Sequence, residues 1–489
     1  MTQALADFPF LTTLLLCCGI GLMIILFIPA RNGRAIKIVS AVFSGLTLII
    51  SIYLYTAYDK QAGGFQFVEH VDWIPSLGIA YYNGVDGFAL PMLLLTGIVF
   101  FTAVLTMWEL DLRVKEFFAL IFLLVAGVFG LFMSLDLFFI FVWFDVSLFP
   151  MYLLIAIWGS TRKEYGAMKL TLYLLAGSAL ILPAILYLVV QSETLTFDLL
   201  ALMEGERFTP GVQNLAFLLL YIGFGILAGV FPFHTWSPVG HVAAPTAVSM
   251  IHAGVLMKIG AFGILRVGMF LCPVGWHTWA PLMAVLATCG IVYGIFVGLS
   301  QTDLKYVIGY SSVSHMGIVG LGLSTMTVDG LNGAVFQMFA HGIMTALLFS
   351  SVGHIYDRTH TKAIAELGGL SRTMPRAATF FIIAALAGMG VPCLASFWGE
   401  LVVFIACVKV YPVAGALAIG ALAVGALFML RVVQKTCYGP PLEKFADLTD
   451  VTAAMAIPRV ILASVILLFG LFPGLLFDMI HTATMQLIG

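Results

Sequence analysis

Residues 137–159, LFFIFVWFDVSLFPMYLLIAIWG, contain one charged side chain, Asp145, in an otherwise apolar and aromatic stretch. About 20 apolar residues in a helix cross the hydrocarbon core of a bilayer. Because hydrocarbon offers the backbone no hydrogen-bond partner, such a stretch is predicted to be a membrane-spanning helix. The stretch SMIHAGVLMKIGAFGILRV at 249–267 has the same character, with Lys258 near its centre. These two stretches predict an all-α integral membrane protein.

The composition of the whole chain agrees with this prediction. Of 489 residues, 62% are hydrophobic and 9% are charged, and the mean hydropathy is +1.09. Soluble domains have roughly 45–50% apolar and about 25% charged residues. A soluble globular or a disordered chain is therefore excluded. The net charge of −2 gives no reason to expect nucleic acid as a partner.

About fourteen apolar segments are long enough to span a bilayer. We expect one polytopic membrane domain, residues 1–489, with N-terminal helices in 1–116, a first repeat in 117–270, a second repeat in 271–435 and a C-terminal helix in 436–489. The predicted spans are 8–29, 36–57, 85–108, 117–135, 138–158, 168–190, 213–236, 245–270, 277–299, 306–324, 329–353, 377–406, 411–435 and 458–484.

The basic residues predict the orientation of these spans. Of the 22 Lys and Arg residues, 17 lie in or beside the loops that follow odd-numbered spans, and four lie on the opposite side. Cytoplasmic loops of membrane proteins are enriched in Lys and Arg. We therefore expect a multi-pass protein of a bacterial inner membrane with both termini on the non-cytoplasmic side.

Two prolines indicate an internal repeat. Pro232 in the seventh span and Pro392 in the twelfth occupy comparable places in two five-helix blocks, spans 4–8 and 9–13. Broken helices at matching positions of two halves are typical of inverted-repeat transporters. The prediction is two inverted five-helix repeats in which helices 7 and 12 are broken.

Ionisable side chains in mid-membrane point to the function. Each costs roughly 2.5–3.5 kcal/mol at the bilayer centre on insertion scales. The candidate proton pathway consists of Asp145, His252, Lys258, Lys305, His315, His341 and Glu400. A row of titratable groups joined by water can pass protons, whereas the alternative is a set of buried pairs that only hold helices together. Because packing alone does not require Asp145, Lys258 and Glu400, transport is favoured.

The sequence has no motif for other chemistry. It has no P-loop, no dinucleotide-binding glycine motif after a strand, no Ser-His-Asp arrangement and no metal-ligand cluster. The seven cysteines form no C-x-x-C pair, so we expect no iron–sulfur or zinc site in this chain. Movement of protons or other cations is the one activity that the residues indicate.

Several stretches resemble a known family. They are NGVDGFALPMLLLT (83–96), VSLFPMYLLIAIWG (146–159), FPFHTW (231–236), APTAVSM (244–250), AGVLMKIGAFGILR (253–266), QTDLKYVIGYSSVSHMGIVGLG (301–322) and GVPCLASFWGE (390–400). In these the chain resembles the antiporter-like, proton-pumping subunits of respiratory complex I, and among them the NADH-quinone oxidoreductase chain M (NADH dehydrogenase subunit 4) family.

The resemblance implies a translocase role as a subunit of an NADH:quinone oxidoreductase, with no redox chemistry in this chain. It implies that Lys258 is the central lysine, that His315 and His341 continue the pathway, and that Glu400 is the group on the exit side. It also implies flavin, iron–sulfur clusters and quinone in partner subunits. Other membrane-arm subunits, including neighbouring antiporter-like ones, are the expected partners within the lipid bilayer.

The chain departs from the family pattern at two positions. Leu227 stands where the family usually has a lysine, and Gly229 stands at the first proline of that motif. Asp145 replaces a helix-5 glutamate that pairs with this lysine. We therefore expect His252 to act as a substitute cation that pairs with Asp145.

The missing lysine keeps two other classes open. One is a subunit of a multisubunit cation/proton antiporter, which has no redox partner. The other is a proton-channel subunit of a membrane-bound hydrogenase or of a CO2-hydrating complex.

Overall fold

The computed structural model describes residues 8–205 and 208–488, and within these ranges the chain is helical apart from one antiparallel β-hairpin. In chain order the helices are α1 (Phe10–Phe27), α2 (Gly33–Ala57), α3 (Ala89–Thr106), α4 (Val114–Met133), α5 (Leu137–Trp158), α6 (Lys163–Gln191), α7 (Leu199–Gly205), α8 (Pro210–Ala228), α9 (Trp236–Ala243), α10 (Thr246–Met269), α11 (Pro273–Leu299), α12 (Leu304–Ser324), α13 (Val328–Thr359), α14 (Leu370–Thr373), α15 (Pro375–Gly388), α16 (Ala395–Val410), α17 (Pro412–Cys437), α18 (Ala453–Leu471) and α19 (Gly474–Ile488).

The number of crossings agrees with the sequence prediction. In the described part of the chain, thirteen helices are long and apolar enough to cross a membrane, with α8 and α9 counted as one. The helices α15 and α16, of 14 and 16 residues, are each too short to cross alone and together supply the fourteenth crossing. The all-α membrane fold is confirmed.

Both predicted helix breaks are present. Between α8 and α9 the chain turns at Gly229, which has φ +75°, and passes through Pro232. Between α15 and α16 it turns at Gly390, which has φ +67°, and passes through Pro392. A glycine in the left-handed conformation followed by a residue without an amide proton ends a helix efficiently. The division of the chain into repeats stays a prediction.

Two elements differ from the sequence prediction. The loop predicted at 58–84 contains strands β1 (Gln66–Ile74) and β2 (Ile79–Val85), which form the hairpin. The last predicted span, 458–484, is two helices, because α18 ends before Pro473 and α19 begins after it. Proline lacks the amide proton that a continuous helix would need at that position.

The connecting segments lie on two opposite faces of the bundle. On the hairpin face, the amide of Leu135 donates to Tyr82 O at 2.8 Å, and that of Phe197 donates to Gly78 O at 3.0 Å. On the other face, here called the basic face, the Trp158 indole N–H donates to Leu112 O at 2.7 Å. These contacts join loops that follow even-numbered crossings on the hairpin face and segments beside odd-numbered crossings on the basic face.

The core of the bundle is formed by α10 and α13. Their most apolar stretches are completely buried inside the protein, whereas α1, α2 and α17 expose most of their surface. Helix α10 contains two π-helical segments, His252–Leu256 and Ile264–Met269. These two helices carry Lys258 and His341, so the fold places the central predicted residues farthest from lipid.

Candidate functional site

Lys258 is completely buried in α10, directly after the first π-helical segment. Its ammonium donates a hydrogen bond to the carbonyl oxygen of Ala253. It also lies 2.7 Å from Nδ1 of His341 on α13. Single π-helical turns inside α-helices occur frequently at functional sites. Among the described residues, Lys258 has no carboxylate partner within ion-pair distance, and its side-chain partner is the imidazole of His341.

Two further residues, His315 and Gln337, extend this contact to Glu400. The rings of His341 and His315 have centroids 5.2 Å apart. Nδ1 of His315 lies 3.2 Å from Oε1 of Glu400, and the Gln337 amide donates to the same oxygen at 3.2 Å. All of these side chains are buried. We call Lys258, His341, His315, Gln337 and Glu400 the central row.

The second helix break sets the position of Glu400. Its carboxylate lies on α16, directly after the broken segment, and Oε2 packs against Gly390. A Cβ atom at position 390 would collide with this oxygen. Gly390 therefore has two roles: it permits the left-handed turn and it leaves room for the carboxylate.

A small cavity adjoins the central row at His315. It has a volume of about 20 Å³, and its lining includes Ser311 and Ser314. One water molecule requires roughly 10–15 Å³ of such space and two or more polar partners. The buried hydroxyl of Ser314 has no protein partner in the described part of the chain. The cavity is therefore suited to one water beside His315.

Asp145 lies apart from the central row, and the predicted pair with His252 is wrong. The Asp145 side chain on α5 is half-buried and accepts a hydrogen bond from the Ser178 hydroxyl at 2.9 Å. Neither ring nitrogen of His252 has a hydrogen-bond partner in the described structure. The imidazole of His252, at the start of the π-helical segment, instead packs against Trp236 and His241. Leu227 is buried and leaves Asp145 without the lysine partner that the resemblance implies.

Lys305 lies near the basic face in the first turn of α12. Its buried ammonium donates to the carbonyl oxygen of Ala244, just after α9, at 2.9 Å. Asp303 caps the helix by accepting from the backbone amides of Lys305 and Tyr306. Lys305 therefore contacts the broken seventh crossing rather than the central row.

Two polar features were missed from the sequence. Gln337 precedes His341 by four residues, so both lie on one face of α13. Because a neutral amide costs less in a membrane than a charge, the sequence does not mark Gln337 as functional. The second is a buried ion pair in which Nη2 of Arg266 lies 2.5 Å from Oδ1 of Asp86. Within the described residues, no group of three or more His, Cys, Asp or Glu side chains is arranged to hold a metal ion.

A buried row that runs from an ammonium through two imidazoles to a carboxylate, in a bundle with two broken crossings, defines the class of ion-translocating membrane subunits. The family comparison is specific within this class. The chain belongs to the NADH:quinone oxidoreductase/Mrp antiporter transmembrane family, whose model matches residues 134–425. The family resemblance seen in the sequence is confirmed.

Individual relatives agree with this assignment. The chain is 34% identical to NADH-quinone oxidoreductase subunit M of Rickettsia prowazekii over 96% of each chain. It is 38% identical to an NAD(P)H-quinone oxidoreductase chain 4 of Picosynechococcus over 82% of this chain and 73% of that one.

Solved structures share the fold. A chain of respiratory complex I from Thermus thermophilus superposes with a TM-score of 0.90 at 26% identity, over 98% of this chain and 100% of that one. A chain of the Mrp complex from Dietzia superposes with a TM-score of 0.85 at 22% identity, over 98% and 97%, which shows the fold alone.

Proposed function

We propose that this chain is the proton-translocating subunit M of a complex I type NADH:quinone oxidoreductase and moves protons along the central row. The observation that carries the proposal is the row of buried side chains from Lys258 through His341 and His315 to Glu400. Imidazoles accept and release protons near neutral pH. The path has an ammonium at one end and a carboxylate at the other. A lysine in the path favours protons over sodium, because the ammonium repels a metal cation.

The direction of transport follows from the distribution of charge. Since the basic face is the cytoplasmic one by the positive-inside rule, protons are taken up there, rest on Lys258 and leave through Glu400. The start of α1 and the part of α19 that contacts the hairpin lie on the hairpin face, which in this assignment faces away from the cytoplasm.

Redox chemistry belongs to other subunits in this proposal. As the family resemblance implies, electrons pass through partner subunits that hold flavin, iron–sulfur clusters and quinone. Neighbouring antiporter-like subunits transmit the driving force within the membrane arm. The relatives that match nearly the whole chain at 33–34% identity are quinone oxidoreductase subunits, which favours this assembly. A subunit of a multisubunit antiporter is the second candidate, because the Mrp chain has the same fold.

Two experiments test the proposal. Purification of the tagged chain in mild detergent should recover flavin- and iron–sulfur-bearing partners; recovery of small membrane subunits alone would favour the antiporter. In inverted membrane vesicles that oxidise NADH, Lys258→Met and Glu400→Gln should each lower proton accumulation at least about tenfold, since relay groups contribute roughly 10²–10⁴ in rate. Lys409→Met, at an exposed lysine, is the control. Normal proton accumulation in Lys258→Met would refute the pathway.

A further inference from the structure

A second imidazole cluster lies beside the central row. His241 on α9 and His252 on α10 are both completely buried, and their ring centroids are 4.2 Å apart. Trp236 stacks against His252 at 5.0 Å, and Phe349 packs against His241 at 5.1 Å. The two histidines therefore share one small aromatic enclosure within the protein.

The ring nitrogens of this pair are unusual. None of the four nitrogens of His241 and His252 has a protein hydrogen-bond partner in the described structure. A buried polar group without a partner costs about 1–3 kcal/mol, so a pair kept only for packing would be better replaced by phenyl rings. Unsatisfied buried nitrogens are instead suited to groups that gain and lose a proton through water or through each other.

The position of the pair connects two buried lysines. His241 is three residues from Ala244, whose carbonyl oxygen accepts the hydrogen bond from Lys305. His252 is six residues from Lys258 on α10, with the π-helical segment between them. The pair thus lies between a lysine near the basic face and the lysine that begins the central row.

The enclosure has further neighbours on α8 and α9. Gly240 lies beside the ring of His252, where a Cβ atom would be in van der Waals contact with Cε1 at 3.5 Å. Trp236, which stacks on His252, donates its indole N–H to Ile226, the residue before Leu227. The enclosure is therefore built beside the position where the family usually has its lysine.

We propose that His241 and His252 form a proton relay that loads Lys258 from the Lys305 side and replaces the missing helix-7 lysine. The inference rests on the proposed function and deepens it by assigning the uptake half of the pathway. The pair carries one proton at a time, because two charged imidazoles at this separation repel each other strongly. A proton moves from one ring to the other through ring rotation or one bridging water, and then passes to the Lys258 amine after Lys258 has released its own proton to His341.

The test compares variants of the assembled complex in NADH-oxidising inverted vesicles. His252→Leu and His241→Leu should each lower proton accumulation per NADH at least about tenfold. His277→Leu, an exposed histidine on α11, is the matched control and should leave it unchanged. The double variant Leu227→Lys/His252→Leu should recover at least about half of the wild-type value, because it returns a proton-carrying group to the seventh crossing.

His252→Gln separates proton transfer from packing. Glutamine keeps a polar side chain of similar size but cannot carry a proton at neutral pH. Low proton accumulation in an intact His252→Gln complex supports the relay, whereas a value within about twofold of wild type overturns it. If the His252→Leu complex does not assemble, proton accumulation in His241→Gln and His252→Gln decides whether the relay exists.

The failure of this inference is distinguishable from the failure of the proposed function. If His252 variants pump normally and Lys258→Met does not, the relay is wrong and the central row stands. If the wild-type complex moves no protons, the proposed function itself fails.

Discussion

The buried pair of Asp86 and Arg266 offers a sharp test of the packing. Nη2 of Arg266 lies 2.5 Å from Oδ1 of Asp86, and the two side chains are only 2% and 5% exposed. Asp86 also accepts hydrogen bonds from the amides of Phe88 and Ala89 at the start of α3. The guanidinium is surrounded by three phenyl rings, those of Phe65, Phe262 and Phe270. The pair thus joins α3 to the second π-helical segment of α10.

Removal of one partner should destabilise the protein strongly. Arg266→Met leaves the Asp86 carboxylate buried without its cation, a change that typically costs about 3–5 kcal/mol. With an entropy of unfolding near 2.1 cal/mol/K per residue, a chain of this length loses about 3–5 °C in Tm. Asp86→Asn/Arg266→Met should recover part of that loss, because no charge is then left unpaired.

The assay is thermal unfolding in mild detergent, followed by size-exclusion chromatography of a fluorescent fusion. Lys409→Met is the control, since it breaks the exposed Lys409–Asp329 pair and should shift Tm by no more than about 1 °C. The reasoning is refuted if Arg266→Met loses no more than this control, or if the double variant is less stable than either single one.

Three further outcomes are expected. Gly390→Ala should displace the Glu400 carboxylate and lower proton accumulation in vesicles about as much as Glu400→Gln, while Gly420→Ala, where a Cβ has open space, should have no effect. Glu69→Gln should lower Tm by about 1–2 °C in the same assay, because Glu69 accepts hydrogen bonds from the first turn of α1 and an amide holds these less strongly. Burial raises the pKa of Asp136 to about 6. Because this is above the pKa of the same carboxyl in the unfolded chain, folding favours its protonated form. The resulting contribution to the free energy of unfolding is complete below about pH 4 and is lost as the pH rises through 6. The fall in Tm between pH 5 and pH 7 should accordingly be smaller in Asp136→Asn than in wild type.

The sequence was sufficient for those parts of the site that are costly in a membrane. Lys258 and Glu400 are identifiable because a charged side chain in a long apolar run has a high free-energy cost in a membrane. The structure places both in one buried row. The breaks at Pro232 and Pro392 are identifiable because proline removes a backbone donor.

The sequence was insufficient where helix rotation decides the contact. The predicted pair of Asp145 and His252 was based on charge alone, whereas the structure turns the His252 ring toward Trp236 and His241, a contact that the sequence does not reveal. The hairpin was missed because it lies in a stretch with enough charge to be read as a loop. Gln337 was missed because a neutral amide is unremarkable in a long helix until its neighbours are known.

The contacts of α19 have a consequence for biogenesis. Its Gln486 side chain accepts a hydrogen bond from the Gly64 amide at 2.9 Å, and its Thr482 hydroxyl donates to Lys60 O at 3.0 Å. A helix synthesised more than 400 residues after the hairpin therefore secures the base of that hairpin. During translation these two hydrogen bonds form only after α19 has been synthesised, so the closing of the hairpin face is a late step of folding, and a truncation that removes α19 should leave that face open.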